Sequence, residues 1–299
     1  MTSFLGRQRN LDGPLSTFSL SWFFRLVILA LPALLWLSNA PILPQPLTEP
    51  YAHPNFPLRI LSSVPSVTGR IVVGEFLPSD SRVSDASGQY PTSFRYLRAS
   101  HSILGGVWIG DQVSTRDNSD PTFDASGTPL GDSIYSAFVL QEAVRLFDTT
   151  DRVVRSGQEK ALFMYAPVSI LHYLYLISYS GLGAGISATS FARRNIDVTV
   201  IEIDAAVYNA SRQYFGLPDL DSDRVFLEDA RVVVADKRRS TEQQDGHSNA
   251  EKYDYVVHDC FSGGGVPAHL YTLQFWEDLK AIMNPEGVVA VVSLSTHYE

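Results

Sequence analysis

One glycine-rich turn and three acidic side chains carry most of the chemistry on offer in this sequence. Gly181-Leu-Gly-Ala-Gly185 stands at the head of a helical run, Ile186 to Arg194, and glycines that open a helix let backbone amides approach a ligand closely. Seventeen residues after Gly185, the apolar run from Val198 ends in Glu202, an acid at the spacing from which both hydroxyls of a ribose can be held. Arg224-Val-Phe-Leu-Glu-Asp229-Ala230 and Tyr253-Asp-Tyr-Val-Val-His-Asp259 close on acids in the same way. An amine attacks carbon only after losing its proton, and a carboxylate within hydrogen-bond reach can take that proton. Taken singly, each acid also fits a solvated strand end, and a lone glycine turn also fits tight packing.

The elements between these residues decide whether they meet. Helical stretches are predicted over Ala205 to Phe215, ending at Gly216-Leu-Pro218, and over Leu270 to Met283. A polar loop is predicted from Lys237 to Lys252, and Pro285-Glu-Gly287 leads into a fully apolar strand, Val288 to Val292. Strands alternating with helices imply a mostly parallel α/β sheet, in which ligands sit at the carboxyl ends of the strands. Glu202 and Asp229 are therefore expected on the same rim as the glycine turn.

Upstream, Phe18 to Leu37 is long and apolar enough for a transmembrane helix, with Arg25 and Pro32 as its only blemishes. A single-pass membrane anchor is the expectation, with a cleaved signal peptide as its rival. Arg7 and Arg9 before the segment favour a cytosolic N-terminus, which conflicts with a cytosolic cofactor for the rest, so the side of the membrane stays open. Six prolines between Pro41 and Pro57 read as an extended linker. Strand-like alternation follows at Gly69 to Gly74 and Phe94 to Ser100, with Gly105-Gly106 turning the chain into Val107 to Gly110 as a hairpin. Asp132 to Phe147 has the spacing of an amphipathic helix. The domain reading is 1–40 for the tail and membrane helix, 41–150 for the linker and a small β-rich region, and 151–299 for an incomplete nucleoside-binding domain.

With these motifs in order, residues 181–299 resemble the spermidine synthase family, within the S-adenosylmethionine-dependent, methyltransferase-like folds. The resemblance is carried by Gly181-Leu-Gly-Ala-Gly, Val200-Ile-Glu202-Ile-Asp204, Asp229-Ala-Arg, Tyr253 to Asp259, Gly264-Gly-Val-Pro267, Leu270-Tyr-Thr and Pro285-Glu-Gly-Val. It implies a Rossmann-like, methyltransferase-type parallel sheet. It further implies that Gly181, Gly183, Gly185, Glu202, Asp204, Asp229 and Ala230 bind S-adenosylmethionine or its decarboxylated form, Glu202 at the ribose, Asp229 and Ala230 at the adenine. Asp259 matches the family's catalytic aspartate, and Tyr135 matches a substrate-binding tyrosine. Two departures stand out. Ser262 replaces a second aspartate, and Ser136 follows Tyr135 where the family carries glutamine or histidine. The implied activity is aminopropyl transfer to an amine. Methyl transfer to another acceptor and a catalytically inactive, membrane-anchored relative are the alternatives, and a homodimer is left open.

Composition narrows the partners. The 299 residues are 45% hydrophobic with a net charge of −9, which suits a packed domain and repels nucleic acid. One cysteine, Cys260, excludes a disulfide framework, and no pair of the seven histidines has metal-ligand spacing, so no metal is expected. Two segments sit badly with the family pattern. Tyr165 to Ser180 separates the short apolar strand Ala161 to Met164 from the glycine turn, and its ends fit splice-site codons, as expected of a retained intron. Val292 to Glu299 fits read-through in the same way, which would truncate the sheet at its C-terminus. If the first segment is translated, Leu174 to Ser178 could replace Ala161 to Met164 as central strand, or Ala161 to Ser180 could cross the membrane.

Overall fold

The computed structural model describes residues 25, 27, 30, 31, 43–77, 93–100, 102–110, 122–135, 141–146, 159–165, 182–243, 251–260 and 267–291. The chain divides into two compact units, Met1–Pro44 and Gln45–Glu299. In the first, Arg25, Val27, Ala30 and Leu31 are helical and exposed, and most of the expected membrane segment Phe18 to Leu37 lies outside the described residues. Among the described residues no helix is long and apolar enough to cross a membrane.

The second unit contains two sheets. An antiparallel sheet is built from β1 (Tyr51–Ala52), β2 (Leu58–Ser66), β3 (Gly69–Phe76), β4 (Ser93–Ala99), β5 (Ser102–Ile109), β6 (Thr122–Phe123) and β7 (Pro129–Ser133), in the order β1-β2-β3-β4-β5-β7-β6. The hairpin expected at Gly105-Gly106 turns elsewhere. Ala99 pairs with Ser102 and Ser100 takes a left-handed φ of 52°, while both glycines lie inside β5 opposite Leu97 and Tyr96. Of the helix expected over Asp132 to Phe147, Asp132 and Ser133 belong instead to β7, Gln141 and the 3₁₀ turn Glu142–Leu146 are helical, and residues 136–140 and 147 lie outside the described residues.

The parallel sheet comprises β8 (Lys160–Tyr165), β9 (Asp197–Glu202), β10 (Val225–Phe226), β11 (Tyr253–His258) and β12 (Met283–Val291), in the order β10-β9-β8-β11-β12. This is the doubly wound order, first strand central, second and third to one side, fourth and fifth to the other. Among the described residues four α-helices accompany it, α1 (Ile186–Ala192), α2 (Ala205–Phe215), α3 (Ala230–Gln243) and α4 (Leu273–Ala281). Alternate residues of each central strand face opposite layers, as a pleated strand requires. Ala161, Phe163, Val200 and Val257 join α1, α2 and the inner face of the antiparallel sheet, whereas Leu162, Met164, Ile201 and Val256 join α3 and α4.

β8 settles one sequence-level alternative. Ala161 to Met164 are fully buried and pair with β9 on one side and β11 on the other, so this strand is central and neither Leu174 to Ser178 nor a membrane span takes its place. The stretch expected to be a loop from Lys237 begins as helix, because α3 starts at Ala230 behind the Asp229 cap and runs to Gln243. Among the described residues β12 pairs with β11 alone, and Val288 to Ala290 are only half-buried.

Candidate active site

In the order β10-β9-β8-β11-β12 the strand order reverses between β8 and β11, and Glu202, Asp229 and Asp259 each stand at or after the carboxyl end of a strand of this sheet. After β8 the chain re-enters the described residues at Leu182. Gly183 and Gly185 adopt φ of 52° and 71°, the left-handed region that side chains with a Cβ rarely enter. Gly185 caps α1, and a Cβ there would stand 3.2 Å from that of Ser211, so this glycine also lets α1 and α2 come together. Gly181 lies outside the described residues.

Glu202 ends β9 with 1% exposure. The Asp204 amide donates to its carboxylate at 2.8 Å, and the Ile203 and Leu182 amides also stabilise its charge. Burial outweighs these donors and pushes its carboxyl up to about 8. Asp204 does different work. It accepts from Ala206 N at 2.8 Å as the cap of α2, and from Ser66 Oγ (2.5 Å) and Thr68 in the β2–β3 connection. Its contacts therefore fasten the antiparallel sheet to α2.

Asp229 follows β10 and caps α3, its Oδ1 accepting from Arg231 N at 2.8 Å; Ala230 behind it is buried. Its Oδ2 lies 3.1 Å from Nε2 of His269.

Asp259, directly after β11, is 4% exposed, and burial pushes its carboxyl up to about 8. The side chain of Gln141 donates to it at 2.6 Å, and Ser187 Oγ donates in turn to Gln141 Oε1 at 2.6 Å. This relay runs from α1 through the turn before the 3₁₀ segment to the end of β11, and all three members are buried. Sequence reasoning missed it by anchoring on Tyr135, whose described hydrogen bonds are with Ser133. The available signal was Gln141-Glu142 behind the apolar run Phe138 to Leu140. A glutamine that reaches Asp259 thus stands six residues after Tyr135.

Behind Asp259, His258 is fully buried, its Nε2 3.2 Å from Leu270 O and its ring against Tyr271 (4.8 Å) and Trp276 (4.9 Å). Desolvation holds it at about 4, neutral at physiological pH. Cys260 is buried, its thiol donating to Met164 O at 3.4 Å. Among the described residues no group of three or more His, Cys, Asp or Glu is arranged to hold a metal ion.

The family model described as "Spermine/spermidine synthase domain" matches residues 188–299. Over these residues the chain is similar to that family. The matched segment begins inside α1 and contains Glu202, Asp229 and Asp259, while Gln141 and the glycine turn precede it. An N-terminal histidine N-methyltransferase of Emericella nidulans is 32% identical over 198 residues, 66% of this chain and 29% of that protein. A polyamine aminopropyltransferase of Vibrio vulnificus is 30% identical over 118 residues, 39% of this chain and 36% of that protein. The chain spans about a third of the length of these relatives. The crystal structure of a probable spermidine synthase from Corynebacterium glutamicum superposes with a TM-score of 0.45 at 17% identity, over 76% of this chain and 61% of that one.

Proposed function

We propose that the matched segment, with the glycine turn and Gln141, is a transferase that binds S-adenosylmethionine or its decarboxylated form and passes an aminopropyl group to an amine. The observation that carries this reading is the Ser187–Gln141–Asp259 relay, which ties a buried carboxyl at the carboxyl end of β11 to the helix that the glycine turn opens. The residues suit such a nucleoside. Glu202 meets the ribose hydroxyls, Asp229 and Ala230 meet the base, and the glycine turn admits the tail. The bound sulfonium supplies a carbon made electrophilic by its neighbouring sulfur. The amine nitrogen bonds to that carbon, the carbon–sulfur bond breaks with its electron pair going to sulfur, and the proton leaving nitrogen passes to Asp259. Gln141 holds Oδ2 and leaves Oδ1 to accept that proton.

Methyl transfer is the second reading. It is favoured by the match to the histidine N-methyltransferase, which covers more of this chain than the aminopropyltransferase match does, and by Ser262 in place of the aspartate that would grip a polyamine. Calorimetric titration with both sulfonium nucleosides, followed by assay for methylthioadenosine release with a polyamine, tests the proposal. Preference for the decarboxylated form with product release is expected. Preference for S-adenosylmethionine without that product moves the assignment to methyl transfer, and binding of neither removes both. The twenty-residue apolar stretch Phe18 to Leu37 further supports single-pass membrane attachment, which alkaline carbonate extraction of membranes reads directly.

A further inference from the structure

Asp229 has only two carboxylate oxygens, and the structure commits them unequally. Oδ1 accepts from the Arg231 amide and thereby caps α3, so taking it away uncaps a fourteen-residue helix. Oδ2 is the oxygen left to accept from a ligand, and it is the one that His269 faces at 3.1 Å. The contact lacks hydrogen-bond geometry, so the imidazole stands against Oδ2 as a close polar neighbour that a better-aligned donor can displace. Its backbone, by contrast, is fixed. His269 belongs to the 3₁₀ turn Ala268–Tyr271, closed by Leu270 N donating to Pro267 O at 2.8 Å and tied to β11 through His258 and Leu270 O.

We propose that His269 sets the affinity of this rim for the nucleobase, by standing at the Asp229 oxygen that an exocyclic amine must reach. The inference rests on the nucleoside reading above and deepens it. A base bearing an amine donor, such as adenine, gains Oδ2 only by displacing the imidazole. A base with a carbonyl at that place, such as hypoxanthine, sets acceptor against acceptor and gains nothing from the exchange. Binding of an adenine nucleoside is therefore opposed by His269, and binding of a hypoxanthine nucleoside is indifferent to it.

The test is calorimetric titration of the full chain with 5′-methylthioadenosine and 5′-methylthioinosine. His269→Ala is expected to bind methylthioadenosine about two- to fivefold more tightly, the range of a half-exposed polar pair, with methylthioinosine unchanged. His269→Gln, which returns an N–H donor to the same place, is expected to bring methylthioadenosine affinity back toward that of the parent chain. If the parent chain binds methylthioadenosine and His269→Ala binds it equally or more weakly, the inference is overturned while the nucleoside reading stands. If neither protein binds either nucleoside, both fall together. Circular dichroism of each variant distinguishes a lost site from an unfolded chain.

Discussion

Asp259 spends its time protonated at neutral pH, because a carboxyl at 4% exposure loses more hydration than one hydrogen bond from Gln141 returns. A base in that condition needs two things before it works: a cation close enough to favour its charged form, and a donor to fix which oxygen is free. Gln141 supplies the second, and Ser187 fixes the amide by donating to its oxygen. Asp259→Asn is accordingly expected to lower turnover by about 10² to 10⁴ while sparing affinity for the uncharged methylthioadenosine, since it removes the proton acceptor alone. Gln141→Ala leaves the acceptor and loses its orientation, so a smaller fall of about 10- to 100-fold in kcat is expected, with KM for the nucleoside unchanged. Single-turnover kinetics beside equilibrium binding separates the two effects, and equal turnover in Asp259→Asn removes Asp259 from the chemistry.

The two sheets are held together by contacts made between elements rather than along the chain. Arg95 of β4 donates to Glu75 of β3 at 2.8 and 3.0 Å, to Asp124 beside β6 at 2.6 Å, and to the Tyr214 carbonyl in the last turn of α2 at 2.7 Å. All three charged side chains are at most 5% exposed, so removing the guanidinium leaves buried Asp124 without its cation and Glu75 with the half-exposed Arg59 at 3.6 Å. Arg95→Ala is expected to cost about 3–5 kcal/mol in urea unfolding, because stranding a buried charge costs more than the pair itself contributes. A loss under 1 kcal/mol would show that water enters the cluster freely. Nothing in the sequence marked Arg95, because its partners lie 20 and 29 residues away and its alternation within β4 reads as an ordinary strand. The parallel sheet was legible for the opposite reason. Its central strands β8, β9 and β11 are buried on both faces and appear as largely apolar runs, with Glu202 ending β9 and Asp259 following β11. The misreadings fall where one local signal competed with another. Gly105-Gly106 reads as a turn, yet cross-strand pairing holds both glycines inside β5; the polar stretch after Lys237 reads as loop, yet the Asp229 cap and buried Val233 and Val234 carry helix past it.

Over the whole molecule, the pH response follows from three carboxyls that move in opposite directions. Glu202 and Asp259 are raised from 4.5 and 3.8 to about 8, so the stability they contribute is complete below their unfolded values and is lost as pH rises through 8. Glu251 is instead held at about 2 by Lys160, Lys237 and Arg224, and its contribution is present above 4.5 and lost only in stronger acid. Between pH 5 and 6.5 buried His258, held at about 4, offsets one of the pair, and above 6.5 the pair governs alone, so the melting temperature of the unliganded chain is expected to fall from pH 5 to 8 and most steeply above 6.5. The limit is about 1.4 kcal/mol per pH unit for each group, and Glu202→Gln and Asp259→Asn should each flatten the slope. A sulfonium nucleoside reverses the balance at Asp259, because its positive charge favours the carboxylate and drives the proton off. Binding at pH 7 should then release a proton, and affinity should rise between pH 6 and 8 by up to about tenfold per unit. Titration in two buffers of different ionisation enthalpy measures that release. An observed enthalpy independent of the buffer would place the sulfonium away from Asp259, whereas release that disappears in Asp259→Asn and persists in Glu202→Gln would assign the proton to the carboxyl that the transfer requires.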